Sequence, residues 1–348
     1  MAVPNLIAIV SKLTYVVDSL AGPSSPHPAP SPPSIETTTD PHAHGLDYTD
    51  TFSPIIKATT IRVVFSLAVT NKWPLQQLDI KNAFLNGTLI EYVYMEQPLG
   101  RTDTSLFVFH QQSGIIYLLL YVDDIIITGN NSSLLDSFTR KLHSEFDTKD
   151  LGSFSYFFCL EALPTLDGLF ISQLKFVQDI LTRAQLLDSK HVHTPMVHLG
   201  SHHIVVSQHL SADGPPFSDP TLYRSLVGAL QYLIITSSDI AHAVNSISQF
   251  QHTPTADHFL AGKHILLYVK GTLHFGLTFC PSVVPSTLVA YSDADWAGCP
   301  DTHRSTSGHS IYLGDKLVSR SVKKQHTVSR SSYESEYRAL TMTATELL

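Results

Sequence analysis

One stretch of this chain constrains its fold more than any other. Eight consecutive apolar or aromatic residues, Ile115 to Val122, lead directly into two aspartates, Asp123 and Asp124, and a second apolar run, Ile125 to Thr128, follows them. Two apolar runs around a polar pair predict a β-hairpin with the aspartates at its tip. Because a surface hairpin would alternate polar and apolar residues, this one is expected to be buried on both faces. Charges in such a place require a metal ion or a charged partner.

A third aspartate, Asp79, lies near the end of a second predicted strand, Leu75 to Ile80, in which Leu78 and Ile80 share the opposite face. Since aspartate favours turns, an acidic pair at a hairpin tip is more often a solvated turn than a metal site. The alternative is a site for two Mg²⁺ ions, because Mg²⁺ prefers carboxylate oxygens and such a pair activates a 3′ hydroxyl and stabilises a leaving pyrophosphate. Spacing alone leaves both interpretations open.

Apolar periodicity predicts further elements along the chain. Helices are expected at 60–72, 132–146, 175–187, 222–233, 239–250 and 258–269, and strands at 169–172, 288–292, 309–313 and 316–319. Thr59 or Thr60 is expected to cap the first helix. The sequence from Ser331 to Glu334 is a capping-box pattern that predicts the start of a last helix.

Composition limits the class of protein. With 348 residues and a hydrophobic content of 43%, the chain has enough apolar residues to fill two ordinary domains. Its three cysteines are too scattered for a disulfide framework or a metal knuckle, and the histidines between His191 and His203 are expected to be surface residues rather than metal ligands. The net charge of −8 argues against nucleic-acid binding unless basic segments are missing, because phosphate contacts supply most of that affinity.

The start of the chain differs from the rest. Residues 2–21 are apolar in parts, but Lys12 and Asp18 interrupt them, so neither a signal peptide nor a membrane span is expected. Residues 22–45 are rich in proline and serine, which predicts an extended linker. Folded patterning begins at Leu46.

Several long segments then resemble one known family in order. They include QLDIKNAFLNG (77–87), YLLLYVDDIIITGN (117–130), YSDADWAGCPDTHRSTSG (291–308) and KKQHTVSRSSYESEYRAL (323–340). These segments resemble the Pol polyproteins of copia-type retrotransposons, in which a reverse transcriptase is joined to an RNase H domain. The resemblance implies RNA-directed DNA polymerase activity, Mg²⁺ as cofactor, and an RNA template and DNA primer as partners. It also implies a cytoplasmic location.

The resemblance assigns roles to residues in the polymerase part. It implies that Asp79 is the first metal ligand and that Asp123 and Asp124 are the acidic pair of the hairpin motif, Asp124 being the less essential. It places Phe84 where the family has an aromatic gate that clashes with a ribose 2′ hydroxyl. Without the resemblance, Phe84 is an ordinary core phenylalanine.

The resemblance also assigns residues in the RNase H part. Asp293 and Glu336 match the first two carboxylates of the family's two-metal site. Without it, Asp293 is a turn residue and Glu336 a solvated helix position. Asp295 is a near neighbour that can be confused with Asp293.

For fold class, the resemblance implies an α+β polymerase palm with an antiparallel sheet and helices on one face, a helical connection, and a truncated RNase H-like α/β unit. The expected boundaries are 1–45 for the N-terminus and linker, 46–200 for the palm, 201–285 for the connection and 286–348 for the partial RNase H-like domain.

Three departures from the family predict an inactive copy. The basic segment that grips template and nucleotide in the family is not found before residue 46. Gly100 is followed at once by Arg101, where the family has a basic stretch that positions the nucleotide. The chain ends at Leu348, before the remaining acidic residues of RNase H. Smaller departures are Cys159 for a glycine, Arg320 for a tryptophan, and Ser237 with Ser238 for an Arg-Pro pair.

The resulting prediction is a reverse transcriptase fragment with a partial RNase H domain and no activity of its own. One alternative is a non-catalytic remnant that binds nucleic acid or a related protein, which a salt-dependent nucleic-acid affinity would support. Another is a two-metal nuclease that uses Asp293 and Glu336, which cleavage of an RNA/DNA hybrid would support.

Overall fold

The computed structural model of the chain describes residues 57–81, 103, 105–121, 123–196, 210, 214–281 and 287–347. These residues form a mixed α/β protein with antiparallel sheets. They divide into two compact units: the described residues within 57–61 and 73–154 form one, and those within 62–72 and 155–347 form the other. The mixed class and the antiparallel strands agree with the prediction.

The elements of the described residues are as follows. The helices are α1 (Ala58–Thr70), α2 (Ser132–Glu145), α3 (Leu174–Arg183), α4 (Pro220–Leu233), α5 (Ala241–Ser248), α6 (Ala256–Gly271) and α7 (Ser332–Leu347), with a 3-10 turn at Ser238–Ile240. The strands are β1 (Leu75–Ile80), β2 (Leu106–Gln111), β3 (Gly114–Tyr121), β4 (Asp124–Gly129), β5 (Thr148–Ser153), β6 (Tyr156–Phe157), β7 (Leu160–Thr165), β8 (Gly168–Ser172), β9 (Leu277–Phe279), β10 (Leu288–Ala294), β11 (Thr306–Leu313) and β12 (Lys316–Lys324).

The first unit is built on a five-stranded antiparallel sheet in the order β2-β3-β4-β1-β5. One face of this sheet forms a core with the apolar side of α2, namely Leu135, Phe138, Leu142 and Phe146. Consecutive strand residues point to opposite faces, and Ile125, Ile126 and Ile127 are all fully buried. The central strand is therefore covered on both faces, as the uninterrupted apolar run predicted.

Strands β3 and β4 form the predicted hairpin, and its base is joined to α2. The side-chain oxygen of Asn130 accepts a hydrogen bond from the N–H of Ile115 at 2.8 Å. The next residue, Asn131, is the N-cap of α2 and accepts from the N–H of Leu134 at 3.2 Å. Two adjacent asparagines thus end the hairpin and start the helix. Their side-chain oxygens accept hydrogen bonds from backbone N–H groups, one at the base of the hairpin and one in the first turn of α2.

The second unit has three parts. Helices α3 to α6 surround an apolar core in which the hydroxyl of the buried Tyr223 donates to the carbonyl of Ile247 at 2.6 Å. Strands β6-β7-β8-β9 form a four-stranded sheet. Strands β10-β11-β12 form a three-stranded sheet, and α7 packs against β10 and β11.

Two expectations from the sequence were wrong or incomplete. Thr59 and Thr60 do not cap the first helix, because α1 begins at Ala58 and contains both residues. Strands β2, β5, β6, β7 and β9 were not predicted. Strand β5 shows why: its sequence from Thr148 to Ser153 is polar and almost entirely exposed, so its strand conformation depends on backbone pairing with β1 rather than on an apolar pattern.

The turn between β6 and β7 holds two consecutive non-glycine residues in the left-handed region, Phe158 with φ of 50° and Cys159 with φ of 54°. Such turns favour glycine and asparagine, because a side chain at positive φ costs about 1–2 kcal/mol. Tyr232 of α4 holds the turn by donating its hydroxyl proton to the carbonyl of Phe158. The strain explains physically why a glycine suits the position of Cys159.

We therefore predict that Cys159→Gly raises the free energy of unfolding of the second unit by about 1 kcal/mol, because glycine adopts positive φ without steric cost. Urea unfolding followed by circular dichroism measures the change. Cys159→Ala is the matched control, since it removes the thiol but keeps a Cβ atom at positive φ. An equal gain in both variants would assign the effect to the thiol and contradict the backbone explanation.

Candidate functional site

Two neighbouring strands place two of the predicted carboxylates opposite each other. Asp79 on β1 is the direct cross-strand partner of Asp124, the first residue of β4. Asp123 precedes it at the hairpin tip, and the carbonyl of Asp123 accepts a hydrogen bond from the N–H of Ile80 at 2.9 Å. All three aspartates are half-buried. The hairpin thus brings them to one end of the β1–β4 pair.

The carboxylate of Asp124 lies in surroundings that disfavour its charged form. Burial in the first place, and the charges of Asp123 and Asp79 in the second, raise the pKa of Asp124 to about 6, although a hydrogen bond from Gln77 opposes the shift. That bond runs from Nε2 of Gln77 to Oδ1 of Asp124 at 3.3 Å. Like charges directly opposite each other destabilise a sheet, so a cation bound here would relieve the repulsion between the carboxylates of Asp79 and Asp124.

A lysine that the sequence analysis missed lies on the other side of Asp79. Strand β5 pairs with β1 so that Lys149, which is exposed, is the direct partner of Asp79. Direct partners project to the same face of a sheet. A register shift between Gln77 and Leu78 sets this alignment, so no local pattern in the sequence could reveal it. The site therefore has a positive neighbour beside its carboxylates.

The residues at this end of the sheet fit a divalent cation in chemical type and in strand position, because Mg²⁺ prefers carboxylate oxygens. Within the described ranges, no three His, Cys, Asp or Glu side chains already converge as a metal centre does. Binding would therefore require rotation of the carboxylates of Asp79, Asp123 and Asp124. His191 and His193, the two described histidines of the histidine-rich loop, are exposed, as predicted for surface residues.

The structure distinguishes the two aspartates near the end of β10. Asp293 is exposed and pairs with Gly308 of β11. Asp295, in contrast, closes the β10–β11 loop: its Oδ1 accepts from the N–H of Thr306 at 2.7 Å and its own N–H donates to the Thr306 carbonyl at 3.1 Å. Glu336 lies exposed on α7. Asp295 therefore has a structural role, and Asp293 is the better candidate for chemistry.

Three predicted features lie outside the described residues: the N-terminal stretch with its linker (1–45), Phe84, and the Gly100–Arg101 junction. Their assignments stay predictions. In the part of the chain that the structure covers, no helix is long and apolar enough to cross a membrane.

Comparison with known proteins shows which class of protein the chain resembles. A family described as reverse transcriptase (RNA-dependent DNA polymerase) matches residues 41–105 and 99–198, which include Asp79, Asp123 and Asp124. The relatives give the family more narrowly. The chain belongs to the reverse transcriptase family of copia-type retrotransposon Pol polyproteins.

Three relatives show the extent of the similarity. The Retrovirus-related Pol polyprotein from transposon RE1 of Arabidopsis thaliana is 41% identical over an alignment of 347 positions that covers 87% of this chain and 23% of the relative. That from transposon TNT 1-94 of Nicotiana tabacum is 32% identical, covering 87% and 26%. An uncharacterised mitochondrial protein of Arabidopsis thaliana is 44% identical, covering 67% and 93%. The chain therefore spans about a quarter of these polyproteins. No solved structure matches it.

Proposed function

We propose that this chain is a copia-type reverse transcriptase palm with a two-metal carboxylate site, followed by an RNase H-like unit, and that it does not synthesise DNA by itself. The observation that carries the proposal is the strand register that sets Asp79 directly opposite Asp124, with Asp123 beside it at the hairpin tip. Three carboxylates at one end of a sheet, two on neighbouring strands and one at the adjoining hairpin tip, suit two-metal nucleotidyl transfer.

Each residue of the site has a defined task in this proposal. Asp79 and Asp123 hold Mg²⁺, and Asp124 contributes less. When bound, Mg²⁺ supplies activation of a primer 3′ hydroxyl and neutralises charge on the leaving pyrophosphate. Gln77 orients the carboxylate of Asp124 through its amide, and Lys149 offsets the negative charge at Asp79. The partners are then an RNA template and a DNA primer.

The proposed lack of synthesis is supported by an interruption inside the chain. The family match is divided into two segments that meet at residues 99–105. The alignment with the RE1 protein runs over 347 positions yet takes up only 87% of the 348 residues, so that relative has internal positions that this chain lacks. In the family, the stretch at this place positions the nucleotide. Positioning supplies much of the rate of phosphoryl transfer, so its loss removes activity while leaving the carboxylates.

The RNase H-like part of the proposal is supported by the C-terminal sheet. Strand β10 carries Asp293, helix α7 carries Glu336, and α7 packs against β10 and β11. Both carboxylates are exposed, which leaves them accessible to a metal ion and a nucleic-acid strand.

Metal binding tests the polymerase site without requiring activity. We predict that Mg²⁺ stabilises the first unit against urea and that Asp79→Asn removes most of this effect. A ligand that binds only the folded state at on the order of 100 times its Kd adds about 2.7 kcal/mol to the free energy of unfolding. Unfolding curves with and without Mg²⁺ measure the difference.

Asp147→Asn is the matched control. Asp147 is an exposed aspartate of the same unit, paired with Lys81 at 3.1 Å, and its loss should leave the Mg²⁺ effect unchanged. If wild type gains no stability from Mg²⁺, or if the two variants respond alike, the proposed metal site is wrong.

A further inference from the structure

A buried polar cluster in the second unit is centred on Gln325, which follows β12 and is 3% exposed. Its Nε2 donates to Oγ of Ser307 at 2.8 Å and to the carbonyl of Ser335 at 3.0 Å, and its Oε1 accepts from Oγ of Ser329 at 2.8 Å. A carbonyl can only accept, so the NH₂ group must face Ser335. These four residues are called the Gln325 clasp below.

Further hydrogen bonds connect the clasp to the loop between β10 and β11. The carbonyl of Ser329 accepts from Nε1 of Trp296 at 3.1 Å. The N–H of Gln325 donates to the carbonyl of Ser305 at 2.8 Å, and Oγ of Ser305 accepts from the N–H of Ala297 at 3.2 Å. One glutamine therefore ties together the β10–β11 loop, the start of β11, the loop after β12 and the start of α7.

Both candidate carboxylates of the RNase H-like unit lie close to clasp residues along the chain or across the sheet. Glu336 directly follows Ser335 on α7. Asp293 pairs with Gly308, which directly follows Ser307 on β11. A displacement of Ser335 relative to Ser307 would therefore displace one carboxylate relative to the other.

Apolar packing contributes little to this placement. The buried residues of α7 are Ser335, Ala339 and Thr343, which are all small. Stabilisation by burial scales with apolar area, so burial of this helix face contributes little to fixing the register of α7. Hydrogen bonds to a fully satisfied buried amide specify one arrangement instead.

We propose that Gln325 is a positioning residue that sets Glu336 relative to Asp293. The proposal rests on the RNase H-like function proposed above. Gln325 touches neither the metal nor the substrate in this role; it acts through the carbonyl of Ser335. Supporting groups of this kind commonly change metal affinity 10- to 100-fold when they are lost.

The geometric test uses spin labels at positions 293 and 336, both exposed, in a chain whose three cysteines are replaced by serine. Pulsed electron paramagnetic resonance gives the distribution of distances between the labels. We expect Gln325→Ala and the isosteric Gln325→Glu to broaden it, because glutamate cannot donate to Ser335. Thr343→Ala is the matched control: Thr343 is equally buried, but its hydroxyl donates within α7, to Ala339, at 2.8 Å.

Mn²⁺ affinity, measured in the unlabelled chain with Asp79, Asp123 and Asp124 replaced by asparagine, gives a second readout. We expect Gln325→Ala to weaken it about 10-fold and Thr343→Ala to leave it unchanged.

An unchanged distance distribution in both Gln325 variants, or equal broadening in Thr343→Ala, overturns the positioning role. If Gln325→Ala does not fold, Gln325→Glu and Ser329→Ala provide the same comparison. Failure of the unsubstituted pair to bind Mn²⁺ would instead reject the proposed RNase H-like function, because the label distances do not depend on metal.

Discussion

Replacing Arg62 by methionine is expected to lower the free energy of unfolding of the second unit by about 3 kcal/mol. Arg62 is 3% exposed, and its guanidinium donates to the carbonyl of Ile234 at 2.9 Å and to that of Ile235 at 2.6 and 3.2 Å. Both carbonyls follow the last turn of α4, where a cation is favourable. Burial lowers the pKa of Arg62 to about 10, so the group remains charged at neutral pH.

The size of this effect follows from what methionine leaves behind. Methionine fills a similar volume but donates nothing, so buried carbonyl oxygens lose a charged donor. Hydrogen bonds to charged groups are worth about 1.5–3 kcal/mol, and an unpaired buried acceptor costs about 1–3 kcal/mol. Urea unfolding of wild type and variant, followed by circular dichroism, measures the loss.

Arg183→Met is the control for Arg62→Met. Arg183 lies in the same unit, is exposed, and donates to the exposed hydroxyl of Ser225 at 3.4 Å, so its loss should change stability by less than about 0.5 kcal/mol. Similar losses in the two variants would show that the carbonyl contacts of Arg62 do not stabilise the unit.

Alanine in place of Gly129 is expected to destabilise the first unit by about 2 kcal/mol. Gly129 ends β4 and pairs with Ile116 on β3. A Cβ atom at this position would lie 2.4 Å from the carbonyl oxygen of Ile115, and a backbone atom there cannot move without separating the two strands. The hairpin that carries Asp123 and Asp124 would loosen at its base.

Gly114→Ala provides a contrast on the same hairpin. Its added Cβ would meet Oδ1 of Asn130 at 2.6 Å, which is a side-chain atom that can rotate away. We expect a smaller loss of stability for this variant, about 1 kcal/mol, because rotation of Asn130 breaks the hydrogen bond that its Oδ1 accepts from the N–H of Ile115. Equal losses in thermal unfolding would show that backbone contact at Gly129 does not limit this hairpin.

Local periodicity predicted the parts of the fold that depend on local sequence. The hairpin around Asp123, strand β1 and helix α2 were all placed to within a few residues, because each has an apolar pattern strong enough to determine its conformation. Strand β5 pairs with β1, far earlier in the chain, and local sequence does not encode a distant partner. Strand β2 pairs with the adjacent strand β3, and the alternation that buries Phe107 and Phe109 was a local signal that the analysis of periodicity did not use. Periodicity also located α1 correctly but gave its start two residues late.

The candidate site was predictable to a similar degree. Resemblance to the family assigned roles to Asp79, Asp123 and Asp124, and the strand register pairs Asp79 with Asp124, which follows Asp123. The sequence did not predict Gln77 or Lys149 as neighbours of the site. Gln77 contacts it because its side chain reaches from β1 to Asp124 on β4, and Lys149 lies beside Asp79 because of the bulge in the β1–β5 pairing. The resemblance had already assigned Asp293, and the fold adds that the neighbouring Asp295 closes the β10–β11 loop.

Primer extension tests the central proposal most directly. The purified chain is incubated with a primed RNA template, deoxynucleotides and Mg²⁺, next to the Asp123→Asn variant and an active reverse transcriptase. We predict no extension by the chain above the level of Asp123→Asn, because under the proposal the chain lacks the stretch that positions the nucleotide although it keeps the carboxylates. Extension by the chain that disappears in Asp123→Asn would contradict this prediction and show a working polymerase.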